Sequence, residues 1–278
     1  MAKKRKVHSL TGRIDDRLMR EAFKAVKRNR GAAGIDKVSI GMFEENLDAN
    51  LAALKRDLKT RGAFCPKPLR RVWIPKDAKG TKFRPLGIPA VRDRIAQEVI
   101  RRLLEPIFEP LFHDCSFGFR PRRSCHKAIE RVLSFHAEGD RVTLDADISG
   151  FFDNIPHKLI VGAVAEEVAD GNILNLIEKF LAAGVMEGGV FKPTTVGTPQ
   201  GGVIAPPTKV QNFLLAAFAS FLRKKGEVDP VDDPKLLFFD LDAVYQRAQN
   251  LATKRPVCRL QVRVDRRCEV IQTGQRFS

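Results

Sequence analysis

The stretch RVTLDADISGFFDNIPH, Arg141 to His157, constrains the fold more than any other part of the chain. Val142, Leu144, Ala146 and Ile148 alternate with Thr143, Asp145 and Asp147, which is the period of a half-buried strand with one apolar face. Asp145 and Asp147 therefore share the other face. Gly150 permits a turn, and Phe151, Phe152 and Asp153 follow at once, so the strand delivers carboxylates to an edge walled by aromatic rings. That is a rigid mounting for a metal-binding carboxylate. An ordinary strand with a solvated polar face has the same pattern.

Charge is distributed unevenly around this strand. The 278 residues hold 49 Lys and Arg against 33 Asp and Glu, a formal balance of +16. Residues 1 to 130 carry 31 basic and 15 acidic side chains, residues 131 to 200 carry 5 and 10, and residues 201 to 278 carry 13 and 8. A basic front half before an acidic middle suits a chain that grips phosphates with one region and gathers carboxylates around cations with the next. A basic protein with a merely solvated surface is the alternative. At 44% hydrophobic residues the chain can bury a sizeable core, in one or two domains.

Cys65, Cys115, Cys125, Cys258 and Cys268 are odd in number and lack zinc-ligand spacing, so they read as reduced thiols. No apolar run reaches membrane-spanning length and no signal-peptide core follows Met1. The expectation is a soluble, cytoplasmic chain with no membrane partner. Lys3 to Val7, KKRKV, reads as a basic tail on nucleic acid or as a short nuclear import signal.

Leu18, Ala22, Phe23 and Val26 recur at helical spacing among Lys24, Lys27, Arg28 and Arg30. Phe43, Leu47, Leu51, Leu54 and Leu58 mark a second helix, stopped near Gly62. Val72 and Ile74 form a short strand closed by Pro75, and a polar tip from Lys76 to Lys82 leads to a partner strand from Phe83 to Ile88. Trp73, the single tryptophan, reads as a packing residue rather than a base-stacking platform. A long helix runs from Asp93 to Glu109. Ser124 can cap the next one, which turns Ala128, Ile129, Val132 and Leu133 inward. Helices near Lys158 to Val168 and Ile173 to Ala183 precede a hairpin of Val185-Met186 and Val190-Phe191 about Gly188-Gly189. Strands and helices mixed without regular alternation indicate an α+β architecture.

Four blocks carry a more specific signal: KFRPLGIPAVRDRIAQ (Lys82 to Gln97), SFGFRPRRSCHKAI (Ser116 to Ile129), the acidic strand, and GTPQGGVI (Gly197 to Ile204). In this order and at these separations the chain resembles the group II intron reverse transcriptases, the maturase-type retroelement polymerases. The resemblance extends back through RRVWIPKDAKGTK and GAAGIDKVSIGMFEENL and covers about residues 15 to 205. It implies a right-hand polymerase fold, with fingers over residues 1 to 140, a partial palm over 141 to 222 and a divergent tail over 223 to 278. It also implies an RNA-directed DNA polymerase, a nucleotidyltransferase that adds dNTPs to a DNA primer on an RNA template, using two Mg2+ ions held by carboxylates.

Carried residue by residue, the resemblance makes Asp147 the metal ligand and Phe152 the ring that excludes a ribose 2′-hydroxyl. Lys82 and Arg84 would clamp the triphosphate, whose developing charge calls for cations. Gln200 and Gly201 would line the base-pair pocket, where a glycine lets the backbone approach the nascent pair. Arg120, Arg122 and Arg123 would face template or primer phosphates, or a solvated loop. After the Gly-Gly block the family has a leucine-rich helix and a hairpin bearing an aromatic, a variable residue and two adjacent aspartates. This chain lacks that hairpin. Asp232-Asp233 is flanked by prolines, and Asp240 and Asp242, on the apolar run FFDLDAVY, are the possible substitutes. The thumb and maturase region is not recognisable. The family pattern breaks near Pro207, as at a frameshift or a junction, which points to an impaired polymerase. A non-catalytic, maturase-like RNA-binding module and an inert product of a damaged element are the rival readings.

Overall fold

A computed structural model describes residues 6–75, 80–81, 83–118, 120–138, 143–148, 155–198 and 260–265, with His136 and the strands at 143–148 and 260–265 described by backbone alone. Helix α1, Asp16–Arg28, starts where the Asp15 side chain accepts from the Leu18 N–H at 2.7 Å and ends with Lys27 and Arg28 at its negative pole. Its stripe of Met19, Ala22, Phe23 and Val26 is buried. The single helix expected from Phe43 to Leu58 is two, α2 (Ile40–Glu45) and α3 (Leu47–Lys59). The break falls at Asn46, whose φ of −123° and ψ of 46° leave the helical region. Asn50 donates its side-chain amide to the Phe43 carbonyl at 2.9 Å, satisfying an acceptor at the end of α2.

Strands β1 (Leu69–Pro75) and β2 (Phe83–Ile88) form the expected antiparallel hairpin. Helix α4 (Val91–Phe108) follows directly and is the central buried helix, with Ile95, Val99 and Ile100 fully enclosed. The loop between α1 and α2 lies hard against its start. A Cβ added at Gly34 would stand 2.5 Å from Ala90 Cα, and one at Gly31 would stand 2.2 Å from a terminal nitrogen of Arg94. Arg94 donates to the Ala32 carbonyl at 2.5 Å, so the two glycines are what let this loop sit down on α4.

Helix α5 (Cys125–Ala137) is capped by Ser124, whose hydroxyl accepts from the Lys127 N–H at 3.3 Å. Strand β3, Thr143–Ile148, spans the acidic alternation and pairs antiparallel with β6, Leu260–Asp265. Helices α6 (His157–Glu167) and α7 (Gly171–Leu181) precede the hairpin β4 (Val185–Glu187) and β5 (Val190–Lys192). Strand β4 adds in parallel to β1, giving a four-stranded sheet of order β2-β1-β4-β5.

The chain thus returns, after the acidic strand, into the core of its front half. One apolar cluster runs from Leu10 and Ile14 through α1, α3 and α4 to Ile160, Val164, Ile173, Ile177 and Phe180. Phe64 meets Phe180 at 5.4 Å and Phe23 stacks on Phe43 at 6.0 Å. Asp170 joins the two parts, capping α7 at Asn172 and Ile173 while accepting from the Thr11 N–H at 2.7 Å and the Thr11 hydroxyl at 2.9 Å. Two expectations need correction. Ile129, Val132 and Leu133 of α5 are 57 to 61% exposed rather than turned inward, because among the described residues nothing covers that stripe. Trp73 is 53% exposed and not a packing residue; its face of the sheet is buried at the Leu69 and Val185 end and open at the hairpin end where Trp73 stands.

Candidate nucleic-acid and nucleotide site

The hairpin has two faces of different character. Register pairs Arg70 with Ile88, Val72 with Leu86 and Ile74 with Arg84, so these six positions share one face. Arg84 is exposed there, and the buried Nε of Arg70 has no hydrogen-bond partner among the described residues. Two guanidinium groups on one face, one incompletely satisfied, suit an anionic ligand. Lys82, the other expected triphosphate contact, lies outside the described residues.

The arginines of the Ser116 to Ile129 block differ from one another. Arg120 turns back on its own loop: its side chain is only 6% exposed, it pairs with Glu109 at 3.0 Å, and it donates to the carbonyls of His113 at 2.7 Å and Ser116 at 2.9 Å. Its guanidinium also lies 5.0 Å from the Phe112 ring centre. Arg123 pairs with Asp114 at 3.2 Å beside Phe117, and Arg122 is exposed with φ at +60°. Similar commitments reduce the positive field elsewhere. On α4, Glu98 holds Arg101 at 2.7 Å and Arg102 at 2.9 Å, while Arg102 also reaches Glu21 at 3.1 Å. Burial opposes the Glu98 charge, but hydrogen bonds from these two arginines outweigh it and hold the carboxyl below its ordinary range. The basic count of the front half therefore overstates the cations free to meet phosphate.

The acidic strand is where the sequence reading put it. Asp147 occupies the fifth of its six residues, with Gln261 as its register partner on β6 and Arg263 opposite Asp145. Phe152, Gln200, Gly201, Asp240 and Asp242 lie outside the described residues. Among the described residues no group of three His, Cys, Asp or Glu side chains is placed to hold a metal ion. The described chain does bring the approaches of two blocks together. His157 donates from Nε2 to the Gly197 carbonyl at 2.9 Å, the Gly197 N–H donates to the Ile155 carbonyl at 2.8 Å, and Pro156 bridges to Val196. Gly197 takes φ +78°, a left-handed conformation suited to glycine. No local pattern in the sequence encodes this tie between the end of the acidic stretch and the start of GTPQGG.

A sheet hairpin with arginines on one face, an acidic strand and a tie at Gly197 thus follow one another along the chain. The profile of the family described as "Reverse transcriptase (RNA-dependent DNA polymerase)" matches residues 74–240. The chain belongs to that family, and its α+β fold is a reverse transcriptase fold present in part. It is 38% identical over 211 residues to Protein YkfC of Escherichia coli, covering 74% of this chain and 54% of that one. It is 39% identical over 188 residues to the Group II intron-encoded protein LtrA of Lactococcus lactis, covering 66% and 30%. A 91 kDa protein in the cob intron of Schizosaccharomyces pombe is 38% identical over 190 residues, covering 68% and 22%. These relatives support a group II intron reverse transcriptase and maturase lineage. The chain spans about half the length of the first relative and less than a third of the other two. The family match continues to residue 240, so the similarity does not stop at the expected break near Pro207.

No described helix is long and apolar enough to cross a membrane.

Proposed function

We propose that this chain is the fingers and partial palm of a group II intron reverse transcriptase, that it binds RNA, and that it does not extend a primer. The observation that carries the reading is the hairpin face bearing Arg70 and Arg84, set in a basic front half and followed in sequence by the Asp147 strand. In a complete enzyme of this kind the hairpin face and Lys82 would receive the triphosphate of a dNTP. Asp147 would hold Mg2+, and Phe152 with Gln200 and Gly201 would frame the incoming pair. Bound there, Mg2+ would supply activation of the primer hydroxyl and neutralisation of charge on the leaving group.

The residues of this chain supply positioning. The His157 to Gly197 bond fixes where the glycine block begins, and Arg120 fixes the loop from which Arg122 and Arg123 meet phosphate. The proposed division is fingers over residues 1 to 140, a partial palm over 141 to 222 and a divergent tail over 223 to 278, with side chains of residues 160–181 packed into the core of the front half. Intron or template RNA is the partner, bound through phosphates with little regard to sequence. Filter binding should give an affinity that falls steeply and log-linearly with salt, and primer extension on an RNA template should fail with Mg2+ or Mn2+. Salt-independent binding would overturn the RNA assignment. Extension that disappears in Asp147→Asn would overturn the claim of inactivity and place Asp240 or Asp242 in the centre.

A further inference from the structure

The opposite face of the same sheet carries a second set of residues that the nucleotide site does not use. Trp73 is paired with Pro85 and Pro75 with Phe83, one residue out of phase with Arg84 and Ile74, so Trp73 and Phe83 stand on the face away from Arg84. Both rings are about half exposed, at 53% and 51%. They are diagonal neighbours across the hairpin, about 7–8 Å apart by strand geometry. The register through β4 and β5 adds Arg71, Glu187, Val190 and Lys192 to this face. Trp73 is not loose: its indole N–H donates to Glu187 Oε1 at 2.8 Å, and Lys192 bonds the other oxygen of the same carboxylate. The Lys192 and Trp73 bonds, with the nearby Arg71 charge, keep the Glu187 carboxyl below its ordinary range. The carboxylate is thus occupied in fixing the ring, and Arg71 and Lys192 leave the face net positive.

We infer that this outer face is a stacking platform for single-stranded nucleic acid, with Trp73 and Phe83 taking adjacent bases and Arg71 a backbone phosphate, while Lys192 stays with Glu187. A pre-oriented indole offers its π-face to any base, and a flanking cation suits a polyanion better than an apolar protein surface. The inference deepens the RNA-binding reading and rests on it, but it assigns a surface separate from the nucleotide face.

Because Trp73 is the only tryptophan, its fluorescence reports the platform directly. The full chain is titrated with a short oligouridylate, with the same length as an RNA duplex, and with dNTP alone. The platform requires that the single strand quench the emission, that the duplex and dNTP leave it unchanged, and that Trp73→Ala weaken single-strand binding about tenfold. Trp73→Phe should recover most of that loss, which separates stacking from damage to the fold. RNA bound with unchanged emission and with equal affinity in Trp73→Ala would overturn the platform while leaving the phosphate-binding reading intact. Quenching by dNTP would merge this face with the nucleotide site and overturn its separateness. Emission that changes with protein concentration alone would assign the face to a second copy of the chain instead. Failure to bind any RNA would overturn both readings.

Discussion

Asp93 should make this protein lose stability as pH rises through the mildly acidic range. It sits in the first turn of a buried helix, 2% exposed, with Oδ2 accepting the Lys67 N–H at 2.8 Å. Burial lifts its carboxyl from the ordinary 3.8 to about 6, against the pull of the Lys67 hydrogen bond and the Arg92 charge and with the help of nearby Asp36. Between about pH 4 and pH 6 the folded chain holds a proton that the unfolded chain has released. Stability therefore falls with rising pH across that window, by about 3 kcal/mol when a shift of roughly two pH units is converted at 1.36 kcal/mol per unit. Above pH 6 the penalty is complete. Asp93→Asn keeps an oxygen for the Lys67 N–H but cannot ionise. Its added NH2 group affects all pH values alike, so it drops out of a difference between two of them. Urea unfolding of both proteins from pH 4 to 7 should show the variant gaining on the wild type by about 3 kcal/mol over the range. Parallel stability curves would refute the reasoning, since the buried carboxyl would then titrate normally.

Gly34→Ala forces a Cβ to within 2.5 Å of the Ala90 backbone and should cost at least about 1–3 kcal/mol, read as a lowered denaturation midpoint, with Gly62→Ala strained only by its own φ of +85° as the comparison. Arg120→Ala leaves Glu109 and two loop carbonyls short of a donor and should cost about 1–3 kcal/mol. Arg122→Ala should change stability by less than about 0.5 kcal/mol while reducing the salt slope of RNA binding by about one, measured by filter binding.

The periodic elements were legible because local pattern and tertiary burial agree. The stripe of α1, the Pro75-closed hairpin, the Ser124 cap and the Asp145–Asp147 alternation each follow from spacing or capping chemistry alone. Three features were not, each for its own reason. Asn46 breaks the second helix although Phe43, Leu47 and Leu51 keep its period, since periodicity carries no information on backbone continuity. The pattern of Trp73 and of the α5 stripe predicts core because apolar residues usually are, whereas exposure depends on which layer arrives to cover them. The arginines of the Ser116 to Ile129 block look equivalent in sequence. Only the contacts across the loop show that Arg120 faces inward to Glu109 while Arg122 stays at the surface. Of the candidate site, the order of its parts and the strand bearing Asp147 could be read; the tie through His157 is a contact across forty residues that no local pattern encodes.

The partner of the acidic strand bears on how far the polymerase reading extends. A two-metal centre draws several carboxylates together, and two of them about 4 Å apart repel by roughly 4 kcal/mol at an effective dielectric of 20, which a bound cation relieves. On β6 the register position opposite Asp147 is Gln261 and that opposite Asp145 is Arg263. The register partner of Asp147 is thus a neutral residue and that of Asp145 a basic one, and neither adds a carboxylate to the strand. Because β6 occupies one edge of β3, Asp240 or Asp242 could complete the centre only by approaching along the other edge or from the strand end. Asp147→Asn should therefore leave RNA affinity and its salt slope unchanged, since the proposed phosphate contacts lie in the front half. A loss of RNA binding in that variant would instead mean that the acidic strand contacts the nucleic acid through a cation, and the centre would have to be more complete than its strand partner allows.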